Sequence, residues 1–203
     1  MLRYAQHNNS YCAQFLSSAC AFARFPLFYP AMKLRPLLVL ASFLAMFSFA
    51  RAEPLKVGDP APAVTGTTET GASLKFADAY AKQPYTLVYF YPKADTSGCT
   101  TQGCSLRDGY EALTKKGIAV IGVSHDDVAA QKAFKDKYNF PFTLIADPNG
   151  TVTTAFGVPN YPMTSAAHRS AYLIKDGKIV YTDYKGTTAK QAETILQVLA
   201  DQK

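Results

Sequence analysis

Hydrophobic and polar positions alternate between two regimes along the second three quarters of the chain. Residues 85–91, Tyr-Thr-Leu-Val-Tyr-Phe-Tyr, are rich in β-branched and aromatic types and stop at Pro92, which predicts a buried strand running into a loop. Residues 118–123 predict a second, wholly apolar strand, as expected for a strand covered on both faces, and Phe142-Thr-Leu-Ile145 a third strand. Between them the pattern changes to helical spacing. Leu106, Tyr110 and Leu113 predict a core-facing stripe on a helix that opens at Thr96 or Ser97 and runs to Lys116, with Gly117 as its C-cap. Val128, Phe134 and Tyr138 mark a second helix, capped by Asp126 or Asp127.

The flanks are shorter and more punctuated. Residues 63–67 and 73–75 around Gly71 predict a small hairpin, followed over 76–81 by a helical turn capped by Ser73 or Asp78. After a turn at 147–150, residues 152–156 predict a short helix closed by Gly157. Residues 170–174 and 178–184 around Asp176-Gly177 carry a type I′ hairpin signal. Ile195, Val198 and Leu199 make the tail, 188–202, an amphipathic helix. Strands alternating with helices, then a hairpin and a final helix, give an α/β fold with a central mixed sheet flanked by helices. No repeat, Gly-rich phosphate loop or dinucleotide fingerprint interrupts it.

Charge changes the picture at one place. The chain has 203 residues and a formal charge of +6, yet residues 1–52 hold five basic residues and no acid. The rest carries sixteen basic against fifteen acidic residues, a net of +1, so no nucleic-acid partner is expected of the folded part. Met32-Lys-Leu-Arg-Pro, the apolar run 37–50 and Ala50-Arg51-Ala52 have the three regions of a secretory signal peptide. The run is shorter than the ~20 residues of a membrane span. The expected organisation is therefore an upstream extension, 1–31, from a mis-set start; a signal peptide, 32–52, cleaved after Ala52; and one domain, 53–203. The mature protein is expected to be exported, in the periplasm, without stable membrane association. Cys12 and Cys20 fall in the leader and receive no role.

Cys99 and Cys104 remain, and their placement suggests chemistry. Cys99 falls in the first turn of the predicted helix, where free N–H groups and the positive end of the helix dipole favour a thiolate. Gln102 could reach back toward Thr96 or Ser97 there. Five residues of helix rise ~7.5 Å and turn ~140°, whereas a disulfide needs Cα atoms ~4.4–6.8 Å apart. Joining the two sulfurs thus requires the first turns to unwind. A structural disulfide closing so short a loop would remove little chain entropy.

Pro92-x-x-x-Thr96-x-x-Cys99 resembles the active-site signature of the peroxiredoxins, and YFYPKADTSGCTTQGCSLRD is similar in particular to the bacterioferritin-comigratory or Q-type subfamily. The likeness extends over about residues 55–200. Ser97 stands where that subfamily commonly has proline. The resemblance implies a thioredoxin-like fold and an atypical two-cysteine peroxidase. Its catalytic residues would be Cys99 (peroxidatic), Cys104 (resolving), Thr96, Pro92 shielding the thiolate, and Arg169, in His168-Arg169-Ser-Ala-Tyr-Leu. Guanidinium, always charged and multiply donating, suits that last role. The implied cycle takes a hydrogen peroxide or organic hydroperoxide substrate and forms a Cys99 sulfenic acid and then a Cys99–Cys104 disulfide. A thioredoxin-like dithiol would reduce that bond, with no metal, haem or flavin, in a monomer.

Other side chains admit plainer readings. His125 and His168 lie in separate segments without partners at metal-ligand spacing. Arg107 and Asp108 would pair on the helix surface, while Phe90, Tyr91 and Lys93 could line the pocket. The competing function is a thioredoxin-like thiol–disulfide oxidoreductase acting on protein disulfides, though such enzymes use Cys-x-x-Cys. A non-enzymatic exported binding domain would keep its function without Cys99.

Overall fold

A computed structural model describes residues 53–201. The expected upstream extension, signal peptide and cleavage site, with Cys12 and Cys20, lie outside the described residues. The elements in order are β1 (Thr65–Thr68), β2 (Ser73–Lys75), α1 (Phe76–Lys82), β3 (Tyr85–Phe90), α2 (Ser97–Asp108), α3 (Tyr110–Lys115) and β4 (Ile118–Ser124). Then come α4 (Val128–Tyr138), β5 (Thr143–Ala146), α5 (Thr151–Ala155), β6 (Ser170–Lys175), β7 (Lys178–Asp183) and α6 (Gln191–Asp201).

Seven strands form one sheet in the order β2-β1-β5-β4-β3-β6-β7. The apolar runs are its centre: β3 pairs parallel with β4, and β4 with β5. β6 lies antiparallel on the other side of β3, with β7 antiparallel beyond it. Asp176 and Gly177, at φ 50° and 71°, make the β6–β7 turn with the two positive φ values of type I′.

Successive side chains of a strand point to opposite faces, and β3 feeds both halves of the core. Leu87, Tyr89 and Tyr91 pack with Leu106, Leu113, Phe134 and Ile195 from α2, α3, α4 and α6. Val88 and Phe90 pack with Phe76, Val152 and Phe156 on the other face. All five of these β3 and loop residues are fully buried, which explains why the run shows no polar alternation and makes Phe90 and Tyr91 core residues.

Several boundaries differ from expectation. The long helix is two: α2 ends at Asp108, Gly109 takes φ −87° and ψ 2°, and α3 follows. Gly109 faces α6 so closely that a Cβ there would lie 2.6 Å from the Cβ of Ala192. The break is therefore set by a helix more than eighty residues away, which no local pattern reports. Helix α1 is preceded by Lys75 and takes no side-chain cap from Ser73 or Asp78. Asp127, not Asp126, caps α4 by accepting from Ala130 N at 2.8 Å. On α4 the fully buried positions are Phe134 and Gln131, while Val128 and Tyr138 are half-buried. Gln131 Nε2 donates to Ser124 Oγ (2.7 Å) and Ile145 O (2.9 Å), and its Oε1 accepts from Tyr91 Oη.

Candidate active site

The site is assembled where β3 ends and α2 begins. Pro92 terminates the strand, and the loop that follows is fixed from two sides. Asp126 Oδ2 accepts from Ala94 N at 2.7 Å and from Ser124 Oγ at 2.7 Å. Asp95, in the left-handed region at φ 59°, accepts from Lys137 Nζ (2.7 and 2.9 Å) and Tyr138 Oη (2.6 Å). Asp tolerates that backbone region better than most residues. The hydrogen bonds from Lys137 and Tyr138 hold the Asp95 carboxyl below its ordinary range.

Thr96 occupies the N-cap position of α2, but its hydroxyl donates to Lys93 O at 3.0 Å and makes no cap bond to the helix. Cys99 is the third residue of α2 and is 1% exposed, turned into the core cluster beneath the helix. Cys104 lies five residues on in the same helix, half-buried, and both thiols are free. An unbroken α2 carries both cysteines.

Arg169, just before β6, comes from the neighbouring strand. Because β6 pairs with β3 so that Ser170 faces Phe90, its first residues lie beside the end of β3 and the start of α2. Arg169 Nη2 donates to Cys99 Sγ at 3.4 Å, and Nη1 donates to Gln102 Oε1. A guanidinium fork of donors thus lies against the buried sulfur. The structure brings Cys99, Arg169 and the α2 N-terminus together. It places Pro92, half-buried, and Thr96, exposed, on the loop leading in.

Gln102 does not reach back toward Thr96 or Ser97. It is fully buried and joins Arg169 to Gln191, with Nε2 donating to Gln191 Oε1 at 2.8 Å. Sequence reading missed both glutamines as site residues. One signal was available: Gln102 stands three residues after Cys99, and side chains three apart share a helix face. Nothing local points to Gln191.

Burial holds the Tyr89 and Tyr91 hydroxyls far above the ordinary phenol range, so both stay protonated beneath α2. Arg107 donates to Asp108 Oδ1 from Nε (2.9 Å) and to Tyr138 O from Nη1 (2.9 Å), so it ties the end of α2 to α4 as well as pairing on the surface. His125 contacts Ser165 O and Thr153 Oγ1, and His168 Nδ1 contacts Arg169 O at 3.1 Å. Among the described residues no cluster of three or more His, Cys, Asp or Glu could hold a metal ion.

Comparison with known proteins places this arrangement. Residues 57–182 match the AhpC/TSA family. The chain is 39% identical over 123 residues to peroxiredoxin bcp1 of Schizosaccharomyces pombe, covering 61% of this chain and 62% of that one. It is 37% identical over 127 residues to the chloroplastic peroxiredoxin Q of Suaeda salsa, covering 63% and 58%. The chain thus spans less than two thirds of the length of these relatives. Among solved structures, peroxidoxin BcpB of Mycobacterium tuberculosis superimposes with a TM-score of 0.68 at 25% identity, over 73% of this chain and 99% of that one. The bacterioferritin comigratory protein of Xanthomonas campestris, described in terms of alkyl peroxide reduction, gives 0.64 at 26%, over 73% and 98%. With the thioredoxin-like sheet and a buried cysteine at a helix start under an arginine, these matches make the chain a member of the AhpC/TSA family, as a peroxiredoxin of the bcp/Q group.

Proposed function

We propose that the protein is an exported thiol-dependent peroxidase that works as a monomer through Cys99 and Cys104. The observation that carries this reading is the buried Cys99 sulfur in the first turn of α2, 3.4 Å from Arg169 Nη2. Attack on an O–O bond needs a thiolate and donors for the oxygens. The guanidinium supplies a donor beside the sulfur through Nη2, and the helix start supplies backbone N–H groups. The likeness to the family assigns Pro92 the shielding of the sulfur from water, and Thr96 lies exposed on the same loop.

In the first step the Cys99 thiolate attacks one peroxide oxygen. An S–O bond forms, the O–O bond breaks, and the alkoxide or hydroxide leaves and takes up a proton, giving Cys99 sulfenic acid and an alcohol or water. Helix α2 then unwinds locally. The Cys104 sulfur attacks the sulfenic sulfur, an S–S bond forms, and the hydroxyl leaves as water with the Cys104 proton. A dithiol of thioredoxin type restores both thiols in two exchange steps and becomes a disulfide itself. The likeness to a protein described by alkyl peroxide reduction favours organic hydroperoxides alongside hydrogen peroxide as substrates.

The test is stopped-flow consumption of hydrogen peroxide by the pre-reduced protein, wild type beside Cys99→Ser and Cys104→Ser. The reading expects rapid stoichiometric oxidation, lost in Cys99→Ser, and a trappable sulfenic acid in Cys104→Ser. A wild type that reacts no faster than free cysteine yet exchanges readily with a protein disulfide would instead establish a thiol–disulfide oxidoreductase.

A further inference from the structure

A chain of hydrogen-bonded side chains, half-buried at Arg169 and fully buried beyond it, runs from Cys99 to the first residue of the last helix. Arg169 touches Cys99 Sγ with one Nη and Gln102 Oε1 with the other, and Gln102 Nε2 donates to Gln191 Oε1 at 2.8 Å. Both glutamines are 0% exposed. The direction of the chain is set at its arginine end. Guanidinium has donors only, so Gln102 must turn its oxygen to Arg169 and its nitrogen to Gln191, and Gln191 must answer with its oxygen. The Nε2 of Gln191 finds no acceptor among the described residues. A buried donor left without a partner is a cost that an apolar side chain of the same size avoids, so packing alone gives no reason for glutamine at 191.

The same turn of α6 holds α2 a second time. Ala192 N donates to Ser105 Oγ at 3.3 Å. The two attachments, at Gln102 and Ser105, straddle Cys104. Any unwinding that carries Cys104 toward Cys99 moves Gln102 off both its partners.

We propose that Gln191 is a positioning residue for both half-reactions: through Gln102 it braces Arg169 on the Cys99 sulfur, and it is the attachment that α2 must release before Cys104 can reach Cys99. The assignment rests on the two-cysteine cycle proposed above. It has a signature of opposite signs. Removing the acceptor at 191 slows attack on peroxide, because the fork of Arg169 loses its support, and speeds disulfide formation, because α2 is held less. A buried hydrogen bond between uncharged groups corresponds to a factor of roughly 2 to 12, and changes of that size are expected in each direction.

The experiment measures two rates in the pre-reduced full chain: the second-order oxidation of Cys99 by hydrogen peroxide, and the first-order conversion of sulfenic acid to disulfide, by rapid quench and mass spectrometry. Gln191→Leu should slow the first and accelerate the second. Gln191→Glu, which keeps an oxygen for Gln102, should recover the first. Ser105→Ala should accelerate the second alone. Folding defects are separated by a double variant: Gln102→Ala with Gln191→Leu should oxidise no more slowly than Gln102→Ala. Additive losses there, or Gln191→Leu behaving like Ser105→Ala, overturn the assignment. A wild type that stops at the sulfenic acid refutes the cycle itself and with it the release step. A wild type that completes the cycle at rates Gln191→Leu does not alter refutes Gln191 alone.

Discussion

Gly103 lies one residue before the resolving cysteine, and replacing it with alanine sets two effects against each other. In a helix interior alanine is favoured over glycine by ~1 kcal/mol. Helix propensity alone therefore predicts that Gly103→Ala strengthens α2. The seat of the helix opposes this. A Cβ at 103 would lie 2.5 Å from Phe140 Cζ and 3.0 and 3.1 Å from its Cε atoms, against a comfortable carbon–carbon separation of ~3.5–4.0 Å. The ring has little room to yield: it stacks on Phe142 (centroids 5.2 Å) and Tyr138 (5.8 Å) and meets Phe134 edge-on at 4.9 Å. Overpacking a closed core costs ~1–3 kcal/mol. The clash exists only while α2 is seated, so the net effect destabilises the seated helix by up to ~2 kcal/mol and raises the unwound population by as much as ~30-fold. Urea unfolding should show Gly103→Ala less stable than wild type. A single turnover with one equivalent of peroxide, quenched by alkylation, should show sulfenic acid converting to disulfide faster. A variant that is more stable and slower to form the disulfide would mean that propensity governs and the aromatic seat gives way.

Arg169→Met should slow peroxide oxidation of Cys99 roughly 10- to 100-fold, the size of a hydrogen bond to a charged group, as measured by competition against a reference peroxidase. Asp95 has its folded pKa depressed by Lys137 and Tyr138, so its contribution to stability is present above the ordinary carboxylate range and disappears as pH falls through the folded value. The melting difference between wild type and Asp95→Asn should accordingly be present at neutral pH and vanish in acid; a difference that persists below that range would refute the ion-pair account. Gln131→Leu removes the partner of Tyr91 Oη and of Ile145 O inside the core. Each of these two buried groups left without a partner costs ~1–3 kcal/mol, so urea titration should show a loss of ~2–6 kcal/mol.

Most of the sheet was legible in the sequence because its central strands are buried on both faces and bounded by proline, glycine and aspartate. Residues 85–91 and 118–123 needed only their own composition to be read as β3 and β4. Cys99 in the first turn of α2 followed from local punctuation, and the catalytic candidacy of Arg169 came from likeness to a family. What local pattern could not supply were pairings across the fold. Gly109 breaks the predicted helix because Ala192 packs against it, and Gln102 reads as a capping residue until Arg169 and Gln191 are placed beside it. Gln131 looks like one polar residue on an amphipathic helix, yet it is bonded to β3, β4 and β5 residues or their continuations. In each case the deciding neighbour is far along the chain.

The proposed cycle asks contrary things of α2, and the contacts are distributed in a way that permits both. Holding the Cys99 sulfur under Arg169 requires a seated helix, whereas bringing Cys104 to it requires that helix to open. Polar anchors lie at the two ends. Before the helix, Asp95 is held by Lys137 and Tyr138, and near its end Arg107 donates to Tyr138 O, so the last turn of α4 ties down both flanks of the segment. Between them the helix rests on the aromatic seat under Gly103, on buried Leu106 and on its attachments to Arg169 and the first turn of α6. Lost packing and a few side-chain hydrogen bonds cost less than opening the sheet, which carries the parallel and antiparallel ladders of β3. Unwinding confined between Asp95 and Arg107 leaves those ladders intact. The ends of the mobile segment stay attached to α4, so Cys104 remains close to Cys99 throughout, and the effective concentration of the resolving thiol is set by about a dozen tethered residues.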